Sequence, residues 1–320
     1  MPETEQHSEA YGRIGILGGG AWGIALAHVA IRAGRAVNLW SRNPLDGSEL
    51  PDGALTTRDR EVIGQADAIL AVVPAQRLRE VLTGFKPASG TPLVICAKGI
   101  EHATGRLMTE VLLETVPDAE PALLSGPSFA RDVVQGLPTA VTIAARAPVA
   151  RRLQASLGHT TFRPYASEDL LGVALGGAAK NVYAIACGIV IGLGLGESAR
   201  AALLARSFAE LCRFAEAEGA RNDTLMGLSG FGDLVLTATS PISRNFSFGL
   251  ELGRGRPLAE LRAPGAPLAE GVETAPALVA RAGRLGIELP VAHAVMDILA
   301  GGIAAADAVP RLMTRPFRME

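Results

Sequence analysis

The amino-acid sequence predicts an α/β chain in which a doubly wound, mostly parallel sheet of Rossmann-like type occupies the first half and an all-α region the second. From Arg13, short apolar runs alternate with helix-like stretches in the order RIGIL, AWGIALAHVAIRAG, AVNLW, ADAILAVV, AQRLREVL and PLVICA. That alternation is the pattern of parallel strands joined by crossover helices. After about Ala166 strand-like runs stop, and long alanine-rich segments that favour helix take over.

The remaining elements follow in order. PALLS, from Pro121, and TAVTIAA, from Thr139, read as further strands, with helix from Pro148 to Leu157. Helices are expected at Leu170–Gly188, Ser198–Gly219, Ala275–Leu285 and Val291–Ala300, and RAPGAPL from Arg262 reads as a turn-rich connector. The change of character between Tyr165 and Ser167 divides the chain into a loose extension (1–11), a dinucleotide-type domain (12–166) and a helical domain (167–320).

Composition narrows the partners. A chain of 320 residues that is 48% hydrophobic can bury substantial cores. Its formal net charge of -2 offers no basic excess, so neither nucleic acid nor an acidic membrane is expected as the main partner. Cys96, Cys187 and Cys212 are odd in number, widely spaced and set in apolar or helical sequence, and read as buried free thiols of a reducing compartment. No CxxC or HxxxH pairing suggests a metal site. The polar, acidic MPETEQHSEA lacks the pattern of a signal peptide, and the longest uncharged stretch, Asn181–Gly196, is shorter than the roughly 20 residues of a membrane span. The expectation is a cytoplasmic chain with no membrane insertion.

RIGILGGGAWGIALA sets Gly18, Gly20 and Gly23 in a GxGxxG pattern directly after the first strand and at the head of the first helix. There the first glycine permits a tight turn, the second lets backbone approach a pyrophosphate, and the third lets helix and strand pack closely. A dinucleotide cofactor is therefore expected. The second strand ends in AVNLWSRN without an acidic residue for a ribose 2'-hydroxyl. Arg42 stands there instead, and a guanidinium can accept a 2'-phosphate, so NADP is expected to be at least tolerated beside NAD.

Of the 30 lysines and arginines only Lys86, Lys98 and Lys180 are lysines. Unlike arginine, a desolvated lysine can give up its proton near neutrality. Lys86, beside Pro87, reads as a surface cation. Lys98 follows the strand-like LVICA, and Lys180 lies in LGGAAKNVYAIACG. If that segment is helical, Gly176, Gly177, Lys180, Ala184 and Gly188 share one face. Read alone, this face fits two roles equally: a helix-packing stripe with a snorkelling lysine, or a bare surface that desolvates a proton-transfer amine. GLSGFGDLVLTATSPISRNFSFG then supplies Asp233, a turn-forming aspartate or a carboxylate that tunes a lysine, and Ser243, Arg244 and Asn245. Arg244 with Asn245 suits a phosphate, by bidentate contact and neutral donors, although alone Arg244 is also an ordinary surface charge.

Together these strings resemble the bacterial NAD(P)-dependent sn-glycerol-3-phosphate dehydrogenases, over nearly all of Gly12 to about Gly302. They are GGGAWGIALA, AVVPAQ, AKGIE, SGPSFA, GLPTAV, LGGAAKNVYAIACG, LSGFGDL, SRN and AEGVET. The resemblance implies a helical domain like that of 6-phosphogluconate dehydrogenase, and interconversion of dihydroxyacetone phosphate with sn-glycerol 3-phosphate, which feeds phospholipid synthesis. It makes Lys180 the proton acceptor and Lys98 a contact to substrate and cofactor. Gly126, Ser128, Asp233, Ser243, Arg244 and Asn245 match substrate positions. Ala21, Trp22, Arg42, Ala130, Arg244, Leu268 and Glu270 match cofactor positions. The chain departs from the family between Asn43 and Leu50, where a Tyr-Leu-Pro segment is missing and the adenosine side is expected to be more open. It departs again at Ala21 and Ala97, where serine is common. Two alternatives are a dehydrogenase of another small phosphorylated or carboxylated hydroxy compound and a cofactor-binding sensor without turnover. A homodimer is compatible with the small-residue-rich second half.

Overall fold

Eight strands form one sheet: β1 (Arg13–Leu17), β2 (Ala36–Trp40), β3 (Ala54–Thr57), β4 (Ala68–Ala71), β5 (Pro92–Ile95), β6 (Glu120–Ser125), β7 (Thr139–Ala144) and β8 (Phe162–Ser167). Their order is β3-β2-β1-β4-β5-β6-β7-β8, and every neighbouring pair is parallel except β6 with β7. The structure, a computed structural model, describes residues 10–45 and 47–308. Most of the expected extension and the last twelve residues of the expected helical domain lie outside that range. Tyr11, expected in the loose extension, is buried; its backbone N–H donates to Ser156 Oγ (2.8 Å) and its ring lies 4.1 Å beneath the Arg152 guanidinium.

The helices of this half are α1 (Ala21–Arg32), α2 (Arg60–Gly64), α3 (Leu78–Leu82), α4 (Met108–Thr115), α5 (Ala130–Val134) and α6 (Ala147–Leu157). They divide between the two faces because successive strand residues point to opposite sides. Ile14 and Ile16 join α1, α5 and α6 in one core, while Leu17 joins α2, α3 and α4 in another. Residues buried on both faces make β1, β4 and β5 read as continuous apolar runs, as parallel strands do.

The second half is helical: α7 (Leu170–Gly192), α8 (Gly196–Glu218), α9 (Asn222–Met226), a π-helical turn at Leu228–Gly232, α10 (Asp233–Thr239), α11 (Arg244–Gly253), α12 (Leu258–Leu261), α13 (Glu270–Arg284) and α14 (Pro290–Leu299). Nearly all of α7 is buried, with α8, α10, α11, α13 and α14 around it and β6 beside it. The core on the second sheet face continues into this bundle through α7.

Several elements differ from the sequence expectations. Strands β3 and β8 were not individually expected. Both are edge strands with largely exposed side chains, so neither carries a clear apolar alternation, and an edge tolerates Pro164. Helix α7 extends four residues beyond Gly188. It is long and apolar enough to cross a membrane, which the uncharged stretch after Lys180 concealed, yet 94% of its most apolar window is buried inside the protein. Cys96 and Cys187 are buried, and burial pushes both thiols up to about 12, whereas Cys212 is half-exposed. The abbreviated segment after Asn43 packs over the β1–α1 turn. A Cβ at Gly19 would meet Leu45 Cδ2 at 2.8 Å, and His28 Nε2 lies 3.1 Å from the Glu49 carbonyl.

Candidate active site

The first half supplies an open helix end at the C-terminal edge of the sheet. Strand order reverses at β1, which has β2 on one side and β4 on the other, and such a switch point leaves a crevice above the strand ends. Gly18 turns there with φ +125°, and its N–H donates to the Trp40 carbonyl (3.0 Å). A Cβ on Gly23 would stand 1.8 Å from the Gly18 carbonyl oxygen, so only glycine allows α1 to begin so close to the turn. Gly20 caps α1 without a side chain, the first turn holds no acidic residue, and the space beside Gly20 is open. Ala21 and Trp22 are the first two residues of α1. Free N–H groups facing open space at a helix N-terminus fit a pyrophosphate, and the turn thus fits the expected dinucleotide. Arg42 is exposed two residues beyond β2, 3.8 Å from Glu80. Ala130 opens α5, which packs on α1, so it lies on the same side of the sheet.

The second half brings a polar cluster to the ends of β5 and β6. Lys98 arrives from the loop after β5 and its stem lies against Gly177 of α7, where a Cβ would stand 3.5 Å from Lys98 Cγ, an ordinary contact, and 3.2 Å from Ser125 Oγ. Lys180 extends from the middle of α7, and Asp233 starts α10. The two lysines hold opposite oxygens of one carboxylate: Lys180 Nζ to Oδ1 and Lys98 Nζ to Oδ2, each at 2.5 Å. Lys98 Nζ also donates to the Gly126 carbonyl (3.2 Å), and Lys180 Nζ to Thr237 Oγ1 (3.0 Å). Gly126 takes φ +142°, a left-handed conformation that exposes its carbonyl to both Lys98 and the Ser128 hydroxyl (3.1 Å).

Electrostatics divide the roles. Lys180 is 7% exposed, and burial, with the Lys98 charge in support, lowers its pKa to about 8 against the opposing pull of Asp233. Asp233 is 1% exposed; burial alone would raise its pKa, but the two ammonium groups outweigh it and hold the carboxyl below its ordinary value. Glu270 opens α13, accepts the Ala75 N–H (3.1 Å) across the two halves, and is pushed upward by burial despite Arg244, Lys180 and Lys98 nearby.

The other expected residues fall into two groups. Arg244 is exposed at the start of α11, close enough to influence Glu270, while Leu268 is an exposed residue before α13. Ser243 and Asn245 are buried and engaged within the protein. Ser243 Oγ caps α11 by accepting from the Phe246 N–H (3.3 Å), and Asn245 donates to Asn181 Oδ1 (2.9 Å) while accepting from the Gly271 N–H (2.9 Å). The amide expected to clamp a phosphate is thus largely committed to joining α7, α11 and α13. The small-residue face of α7 is likewise filled by protein: Gly176 faces Ser229 and Gly188 faces the backbone of α11.

Two polar residues of the cluster were not singled out from sequence. Thr237 stands one helical turn after Asp233 on α10, a spacing that places both on one face. Asn181, next to Lys180, donates to the Lys98 carbonyl (3.4 Å) and so ties α7 to the loop after β5.

A dinucleotide-type turn and a buried lysine–aspartate cluster at the same edge of one sheet define the class of nicotinamide-dependent oxidoreductases with a helical second half. Within that class, the chain belongs to the NAD-dependent glycerol-3-phosphate dehydrogenase family. The model of the family's N-terminus matches residues 13–52 and 44–150, and that of its C-terminus residues 169–310. A glycerol-3-phosphate dehydrogenase, NAD(P)+, of Bradyrhizobium sp. (strain ORS 278) is 54% identical over 330 residues, covering 98% of this chain and 99% of the relative. One from Parvibaculum lavamentivorans is 51% identical over 329 residues, covering 97% and 99%. The crystal structure of glycerol-3-phosphate dehydrogenase from Coxiella burnetii superposes with a TM-score of 0.89 at 35% identity, covering 96% of this chain and 100% of that one.

Proposed function

We propose that the chain reversibly reduces dihydroxyacetone phosphate to sn-glycerol 3-phosphate with NAD(P)H, in the cytoplasm and in supply of glycerophospholipid synthesis. The observation that carries the chemistry is the Lys180–Asp233–Lys98 cluster, with its burial and two 2.5 Å contacts. A nicotinamide dinucleotide held at the glycine turn would supply or accept hydride at substrate C2. Lys180, as ammonium, donates the proton to the developing C2 oxygen in reduction and takes it back in oxidation. Asp233 orients both amines, and Lys98 polarises the carbonyl and balances substrate charge. Gly126 and Ser128 line the substrate beside Lys98, while Arg244 receives the phosphate at the mouth of the cleft. Gly18, Gly20, Ala21, Trp22, Gly23, Arg42, Ala130, Leu268 and Glu270 hold the cofactor. The two working units meet between residues 166 and 167, at the last residue of β8.

Replacing Lys180 by alanine tests the central role. A general acid–base group contributes about 10² to 10⁴ in rate, so kcat should fall by that factor while cofactor binding persists. A folded variant with wild-type kcat would refute the assignment. In the same assay, NADPH oxidation with other carbonyl compounds but not dihydroxyacetone phosphate would redirect the substrate, and cofactor binding without turnover would indicate a sensor.

A further inference from the structure

We infer that Arg58 is a second guanidinium for the adenosine 2'-phosphate, acting beside Arg42 to select NADP over NAD. Strands β2 and β3 run parallel with Trp40 opposite Thr57, so the residues that follow them leave the sheet side by side at its C-terminal edge. The two exits are joined by three contacts. The Ser41 N–H donates to the Thr57 carbonyl (3.2 Å), the Trp40 indole N–H to the Arg58 carbonyl (3.0 Å), and Arg58 Nη2 to the Arg42 carbonyl (3.5 Å). The Arg58 side chain therefore turns toward Arg42 rather than away over the sheet edge. Gly18, whose N–H is bonded to the Trp40 carbonyl, ties the same corner to the glycine turn.

The charges at this corner are unbalanced. Arg77 lies 2.9 Å from Glu80 Oε2, and Arg42 reaches only to 3.8 Å from Glu80 Oε1, so one carboxylate serves both. Arg58 has no carboxylate partner among the described residues; its guanidinium donates to the Arg42 carbonyl. A dianion arriving between Arg42 and Arg58 would meet two planar forks and exchange only one long ion pair and one long hydrogen bond. Guanidinium forks suit phosphate oxygens, which they can engage in pairs. A ribose 2'-hydroxyl would gain little from them. No acidic residue directly follows β2 to favour the hydroxyl instead, and Glu80 is engaged by Arg77 and Arg42.

The inference rests on the dinucleotide reading of the glycine turn and is independent of the substrate. It is tested by calorimetric titration of the full chain, at low salt, with adenosine 2',5'-bisphosphate and with AMP, which differ only in the 2'-phosphate. Wild type should bind the bisphosphate more tightly. Arg58→Ala should weaken the bisphosphate by about three- to tenfold, in keeping with an exposed charge-assisted contact, and leave AMP within about twofold. Arg58→Lys should recover part of the loss. Unchanged bisphosphate affinity in Arg58→Ala, or equal weakening of both ligands, overturns the assignment. A wild type that binds AMP but does not prefer the bisphosphate also overturns it. A wild type that binds neither would remove the dinucleotide reading with it, whereas failure on dihydroxyacetone phosphate alone would leave the binding difference intact.

Discussion

At the scale of single residues, the centre depends on two amines sharing one buried carboxylate. Burial pushes the pKa of Lys180 down, and Asp233 pulls it back up. The balance, at about 8, sets a pH dependence. In reduction Lys180 must carry its proton, so the rate with dihydroxyacetone phosphate should be level below about pH 8 and fall as pH rises through it; oxidation should rise over the same interval. Steady-state kcat/KM against pH in both directions checks this, and profiles of like sign in the two directions would contradict it. Since the groups are coupled, the midpoint belongs to the cluster rather than to one amine. Scarcity of lysine singled out Lys98 and Lys180 in the sequence. Their shared carboxylate was not legible there, because 135 residues separate Lys98 from Asp233 and 53 separate Lys180 from it.

At the scale of elements, α7 supplies both the proton-transfer lysine and the surface on which the bundle is built. Its small residues admit backbone where a larger side chain would hold it off. Gly188 abuts α11, and on α11 a Cβ at Gly249 would stand 2.1 Å from the Ile185 carbonyl oxygen. Gly249→Ala must therefore push α7 and α11 apart. We expect a stability loss of about 1–3 kcal/mol, as overpacking of a well-fitted core costs, read by thermal unfolding. An unchanged melting temperature would show that the helices part freely. Of the two readings of this face that the sequence left open, its glycines serve packing, Gly176 against Ser229 and Gly188 against α11, while Lys180 is buried rather than snorkelling to solvent. The edge strands β3 and β8 escaped the sequence because an element exposed on one side carries only half the apolar signal.

At the scale of the whole molecule, two halves that differ in architecture share an apolar core through α7 and are further joined by directional ties. Arg281 of α13 binds Glu218 of α8 (2.7 Å) within the bundle and Glu110 of α4 (2.8 Å) across the junction, with 12% of its side chain exposed. Arg281→Met would leave two carboxylates without their shared cation. Because Glu110 is partly exposed, we expect a loss of about 1–3 kcal/mol in urea unfolding rather than the full cost of a buried pair. A midpoint equal to wild type would mean that the junction does not depend on this tie. The sequence by itself determined the order and type of most elements, the glycine turn and the two lysines worth attention, since periodicity, capping and composition are local properties of the chain. Only the tertiary structure decided what those lysines face, that Asn245 also joins α7, α11 and α13, and that Arg58 turns toward Arg42. Those outcomes depend on which distant segments the sheet order and the packing around α7 bring within hydrogen-bonding distance.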